Sequence, residues 1–288
     1  MNMKKMTAFA AALTLAFSLS ACNSDSGTTT EADFSTTAKT EAVKDDIKTE
    51  SDTITAPEET PTEEITPTEE SYTPVEPPAE DFEYSYDAAL KGAVIEKYIG
   101  SAEAIRIPTE LDGDPVVKFN AVNIKVKYVE IPDGFTEIGD YAFTNCVSLE
   151  NVIIPDSVAK IGVKAFMGCG NLKSIVIPDS VTVIDPSAFA NCSSLEEITI
   201  PENVTKIEVS TFSECKNLKT VTIPKNIKEI KVNAFYGCKS LRSLTLPDDI
   251  ESLNEGAFSN CDGLTITYKG NEYTHENYWS NLCAAING

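Results

Sequence analysis

Histidine occurs once in this 288-residue chain, at position 275, and no two of its eight cysteines stand only two residues apart. The first scarcity removes the usual base from serine, cysteine or threonine catalysis, which needs nucleophile, base and orienting acid together. The second removes the close ligand pair that zinc sites use. No nucleophile elbow or phosphate-cradling glycine loop accompanies the lone histidine. Positive charge is thin as well: 23 Lys and Arg stand against 45 Asp and Glu, a formal net charge of −22. Such a chain lacks the electrostatic footprint of a nucleic-acid partner and is repelled by anionic lipid. No catalytic, metal, cofactor or nucleic-acid role is expected, and His275 reads as a solvated residue at the start of a C-terminal helix.

Long apolar runs are equally scarce. The one candidate, residues 6–19, follows Lys4 and Lys5 and is too short to cross a bilayer comfortably, the layout of a secretory signal peptide over residues 1–21. Leu19-Ser20-Ala21-Cys22 resembles the bacterial lipobox. That resemblance implies export, lipidation of Cys22 by at least two acyl chains, and a membrane anchor at the bacterial envelope, inner or outer; stable anchoring takes more than one chain.

The acidity is concentrated. Residues 23–81 hold 17 acids and three lysines among Thr, Ser and Pro, with few large apolar side chains. A segment of that composition buries too little apolar surface to offset its ordering entropy, so residues 22–81 are expected to be a disordered acidic tether. A flexible coil of this length spans roughly 40 Å, and full extension approaches about 200 Å.

What the chain does have is repetition. One sentence is written six times between Ile131 and Thr267, beginning IPDGFTEIGDYAFTNCVSLENVI and IPDSVAKIGVKAFMGCGNLKSIV. Prolines at 132, 155, 178, 201, 224 and 247 keep a 23-residue step, as do phenylalanines at 143, 166, 189, 212, 235 and 258 and cysteines at 146, 169, 192, 215, 238 and 261. A fixed period of this size marks a solenoid in which stacked copies bury what no single copy can. Leu172-x-x-Ile175-x-Ile177 reads as its strand, Pro178 ends the ladder, and Ser187-Ala188-Phe189 suits a short turn that lowers the ring into the core. Residues 82–107 read as an N-terminal cap, with Phe82, Tyr84 and Tyr86 alternating as in a half-buried strand. The repeats then occupy 108–267 and a C-terminal cap 268–288.

The pattern L-x-x-I-x-I-P-x-s-V-x-x-I-x-x-x-A-F-x-x-C resembles the BspA-like leucine-rich repeats of bacterial surface proteins. The resemblance implies an α/β-type leucine-rich-repeat solenoid, a parallel β-sheet on the concave face with short helical or irregular turns opposite, and a non-enzymatic role in protein–protein interaction or adhesion. Glycan binding on the same face, or envelope spacing without a ligand, are the alternatives. Thr211 stands where the pattern has Ala, and the copy before Pro132 lacks both A-F and Cys.

In a parallel stack the six repeat cysteines form a column about 5 Å apart, set by strand spacing. Parallel side-chain vectors fit bridge geometry poorly, so they are expected to be free and buried. The second strand positions read Lys127, Glu150, Lys173, Glu196, Lys219 and Arg242, a ladder of mostly alternating charge. The outward positions are Tyr128 and Glu130, Asn151 and Ile153, Ser174 and Val176, Glu197 and Thr199, Thr220 and Thr222, Ser243 and Thr245. They form the candidate binding face for a protein partner, with Tyr128, Ile153 and Val176 its only bulky members.

Overall fold

The computed structural model describes residues 73–120, 125–274 and 279–288; Cys22, the expected leader, His275 and the expected tether up to residue 72 lie outside them. The repeats wind into a parallel-strand solenoid with little helix. Each coil has two strand-forming sides. The first carries Tyr128–Glu130, Asn151–Ile153, Glu197–Thr199, Thr220–Thr222 and Ser243–Thr245. The second carries Glu137–Ile138, Lys160–Ile161, Val183–Ile184, Lys206–Ile207, Glu229–Ile230 and Ser252–Leu253. All these strands pair in parallel, residue to equivalent residue, as in Val129↔Val152 and Ile207↔Ile230. The sequence shows the second side only as a pair of inward apolar residues per copy; two-residue strands are too short to display alternation.

The remaining side is stitched by main-chain bonds between irregular turns. The Phe166 N–H donates to the Ala188 carbonyl at 2.7 Å, and Phe189 repeats the bond to Thr211 at 2.9 Å. Two residues per turn take left-handed backbone: Tyr141, Lys164, Ser187, Ser210 and Asn233 at φ 56 to 62°, then Asn145, Gly168, Asn191, Glu214, Gly237 and Asn260 at φ 59 to 78°. Asn and Gly tolerate this region best, which accounts for their recurrence one residue before the cysteine. The carbonyls of Pro155, Pro178, Pro201, Pro224 and Pro247 each accept the N–H three residues on, as Pro178 does from Val181 at 3.0 Å.

The core is columnar. Phe143, Phe166, Phe189, Phe212, Phe235 and Phe258 stack with centroids 5.0 to 5.6 Å apart and planes within 15° of parallel. The cysteines are free and buried. Their thiols donate to the Phe carbonyl of the preceding coil, Cys192 to Phe166 and Cys215 to Phe189, both at 3.2 Å. A small apolar side chain with one weak donor is what that position requires. Burial pushes the Cys215 thiol up to about 12. Thr211, in the Ala column, is buried and returns its hydroxyl to the Glu208 carbonyl at 2.8 Å, the local accommodation the substitution needs.

The ends differ from the boundaries read in the sequence. At the N-terminal end five strands are β1 (Phe82–Asp87), β2 (Gly92–Tyr98), β3 (Ala104–Arg106), β4 (Glu110–Leu111) and β5 (Asp114–Phe119). β1, β2, β5 and β4 make one sheet, so the capping sheet runs through Phe119 rather than stopping at Ile107. Phe119 also places its ring 5.1 Å from Phe143, tilted by 45°. The degenerate first copy therefore supplies a ring to the column despite lacking the A-F pair. The end of the expected tether joins the fold too. Val75 bridges Ile105 in parallel, its N–H donating to the Ala104 carbonyl at 3.2 Å and its carbonyl accepting from Arg106 at 2.8 Å. A bare strand edge offers unpaired main-chain groups, and Val75 covers this one. At the far end the Asn271–Thr274 strand closes the first side antiparallel to Thr265–Tyr268. Helix α1 (Trp279–Asn287) covers the second side: Asn287 accepts from the Leu253 N–H and donates to its carbonyl, both at 2.9 Å, in place of a further strand.

Candidate binding face

The first-side strands bring the twelve face residues into two columns. Tyr128 lies beside Asn151, and Glu130 beside Ile153. Glu197 and Thr199 lie beside Thr220 and Thr222. Ser243 and Thr245 continue onto Thr265 and Thr267, two further hydroxyl residues that extend the face beyond the twelve. The columns change character along the stack. Ile153 is 46% exposed and Val176 66%, an apolar pair in successive coils, while beyond them the outer column is a run of exposed threonines. Tyr128, in the other column one coil before Ile153, is half-buried, and burial followed by the Glu130 charge holds its phenol above the usual range. Glu130 is drawn into an ion pair with Arg106 at 3.4 Å.

The face is not one continuous sheet. Ser174 and Val176 occupy the expected place but take no strand, and no ladder joins Thr220–Thr222 to Ser243–Thr245. At that second interruption lies a shallow cleft of about 440 Å³ whose lining includes Lys219, Val221, Ile223 and Lys225. Val221 and Ile223 are partly exposed, whereas Ile198 and Leu244, in the Val221 column on either side, are buried.

The charge ladder forms in part. Lys127 pairs with Glu103 at 3.0 Å and Lys219 with Glu196 at 2.6 Å. The denser alternation lies on the second side, where Lys160 meets Glu137 at 3.2 Å and Asp185 at 3.1 Å, and Lys206 meets Glu229 at 3.3 Å. Residues 216–247 stand apart, with six lysines and Arg242 against the single acid Glu229. Among the described residues Lys225 makes no ion pair, and Arg242 donates to the main-chain carbonyls of Lys239 and Asp262 at 2.7 and 2.8 Å. Summing charge over the whole repeat region conceals this band; a count in a one-coil window finds it. Among the described residues no group of three or more His, Cys, Asp or Glu side chains is placed to hold a metal ion.

This architecture defines a leucine-rich-repeat solenoid presenting an extended strand face. The chain matches the BspA type leucine rich repeat region (6 copies) over residues 118–240 and 205–286, and it belongs to that family. Solved relatives agree. A leucine-rich repeat protein of Treponema pallidum is 34% identical, with a TM-score of 0.51 over 68% of this chain and 82% of its own. A leucine-rich cell surface protein from Faecalibacterium prausnitzii is 38% identical, with a TM-score of 0.55 over 69% of this chain and 55% of its own. A leucine-rich repeat protein from Bacteroides ovatus is 31% identical, with a TM-score of 0.59 over 66% of this chain and 51% of its own. No curated protein matches the chain. The family and fold are those of repeat proteins that generally serve as binding modules rather than as enzymes.

Proposed function

We propose that the protein is a non-enzymatic interaction module of the bacterial cell surface, exported by residues 1–21, anchored through lipid on Cys22, and binding a protein partner, as in adhesion, through its first-side strand face. The observation that supports this most is the exposure of Ile153 and Val176 in successive coils of one column. Apolar side chains in successive coils of an open face, with Tyr128 on the same face in the other column, are what a desolvating interface core needs. The described cell-surface relative from Faecalibacterium prausnitzii agrees with the location. A glycan site would call for several aromatic platforms, and among the twelve face residues Tyr128 is the single aromatic.

The test is capture of partners from host-matrix and bacterial-surface extracts by the chain, against a Tyr128→Ala, Ile153→Asp, Val176→Asp variant of unchanged melting temperature. Loss of a retained protein in the variant supports the reading; equal retention refutes it. Replacing Cys22 by Ala is expected to release the protein from the membrane fraction, and persistence there would dispose of the anchor.

A further inference from the structure

The alternating charge ladder breaks once. Along the second strand position the order is Lys127, Glu150, Lys173, Glu196, Lys219, Arg242, so its last two members place cation beside cation. The position after the cysteine does the same in the same two coils, where Val147, Gly170 and Ser193 give way to Lys216 and Lys239. Main-chain contact joins the two coils at this corner: the Ser240 N–H donates to the Lys216 carbonyl at 3.1 Å. Lys216, Lys219, Lys239 and Arg242 therefore form a two-by-two array, with column neighbours about 4.8 Å apart at the main chain. All four are exposed, so no packing demand selects them. Like charges side by side on stacked strands oppose folding. An incoming anion relieves that repulsion.

The array is also available. Glu214 holds Lys216 at 3.4 Å and Glu196 holds Lys219 at 2.6 Å, but both pairs reach solvent and exchange at little cost. Among the described residues Lys239 makes no ion pair, and the Arg242 guanidinium is steadied by the main-chain carbonyls of Lys239 and Asp262. The exposed hydroxyl residues Thr220, Thr222, Ser243 and Thr245 follow directly on the same two strands.

We propose that this array binds a sulfated polysaccharide, its sulfate esters meeting Lys216, Lys219, Lys239 and Arg242 and its sugar hydroxyls meeting the adjoining Thr and Ser side chains. The site goes beyond the protein-partner reading and does not depend on it. A folded partner's carboxylates gain little from exposed lysines, whereas a polyanion releases condensed counterions at each cation it meets. Single-stranded nucleic acid and neutral sugars both rely on aromatic faces, and none of the four cations or four hydroxyl residues supplies one. A sulfated sugar is held by its charge instead.

The test uses the full chain and a heparin octasaccharide labelled with fluorescein at its reducing end, read by anisotropy at low ionic strength. Binding is expected, with at least tenfold weakening in Lys216→Gln/Lys239→Gln and less than twofold change in Lys91→Gln/Lys97→Gln, which removes the same charge from the N-terminal cap. The desulfated octasaccharide, which keeps its carboxylates, is expected to bind at least tenfold more weakly. Absence of binding, equal weakening by the cap variant, or undiminished binding of the desulfated chain would each overturn the proposal. So would polyphosphate or duplex DNA that binds as tightly and is lost in the same array variant. The Tyr128→Ala, Ile153→Asp, Val176→Asp variant is expected to keep the octasaccharide. Failure of the array therefore shows as absent octasaccharide binding with partner capture retained, and failure of the strand face in the capture experiment alone.

Discussion

Phe189→Ala is the most searching perturbation of the fold. Its ring is fully buried in the middle of the column, 5.3 Å from Phe166 and 5.6 Å from Phe212, with planes tilted by only 2° and 6°. Truncating a buried Phe typically costs ~3 to 5 kcal/mol, transfer and cavity together. Aromatic contacts add ~0.5 to 1.5 kcal/mol each beyond area, and this ring has one on each side, which places the expected loss near the upper end. Phe119→Ala is the control. That ring touches only Phe143 within the column and sits tilted at its end, so about 3 kcal/mol or less is expected. Urea unfolding followed by far-ultraviolet circular dichroism measures both. Because each coil contacts only its neighbours, a weak central coil also uncouples the two halves, and the transition should broaden with a smaller m-value for Phe189→Ala alone. An unchanged midpoint, or a larger loss from Phe119→Ala, would refute the column as the source of stability.

Three further outcomes follow from local geometry. Ser210 holds φ 57° with no side-chain hydrogen bond, one coil before Asn233 at φ 58°, so Ser210→Asn is expected to stabilise by ~0.5 kcal/mol and Ser210→Val to destabilise by ~1 kcal/mol or more; equal urea midpoints would reject the left-handed turn. Asn287→Asp keeps the shape but turns a donor into a carboxylate oxygen facing the Leu253 carbonyl, so a loss of ~1 to 3 kcal/mol is expected at pH 7, with amide exchange at Leu253 accelerating; unchanged exchange would remove α1 from its capping role. Burial raises the thiols of Cys169, Cys192 and Cys215 above their unfolded values, so the folded state favours the neutral form. That stability is complete below the unfolded thiol pKa and is lost as pH rises through the folded one, for Cys215 between about 9 and about 12. Alkaline melting curves should fall in that window and iodoacetamide should spare the six repeat cysteines at pH 8; rapid alkylation of the folded protein would refute the burial.

Much of this was legible in the residues. A 23-residue step in three residue types at once fixes the coil, and Leu172-x-x-Ile175-x-Ile177 fixes which side chains point inward, because strand alternation leaves no other choice. The second strand side was not legible, since two residues cannot display a period. Nor was the left-handed residue in Tyr141, Lys164 and Ser187, types that rarely adopt it and do so here because inter-coil bonds such as Tyr141 N–H to Val163 at 2.9 Å hold the turn. Val75 and Phe119 escaped because caps break the repeat they close. A lone valine after an acidic run, and a Phe without its Ala, carry no periodic signal.

The candidate face was read from a symmetry that the molecule keeps in its core and abandons on its surface. Every coil buries its Leu, Phe and Cys identically because neighbouring coils impose the same cavity on each. The outward positions meet no such constraint, so Ile153 and Val176 give way to Thr199, Thr222 and Thr245, and lysines crowd one coil. Treating the columns as uniform hides those departures. They are nevertheless where a repeat scaffold encodes difference: an apolar pair near one end of the face and a lysine-lined cleft near the other. Ile153 and Thr222 lie on the same side, three coils apart, about 14 Å at the ~4.8 Å strand spacing. One segment of ordinary length reaches across that distance, so coupling between the two regions is measurable. Combining Lys219→Gln/Lys225→Gln with Ile153→Asp should weaken a common partner by the product of the separate effects if the two regions act independently. A combined loss no greater than either alone would show that the two parts of the face hold different partners.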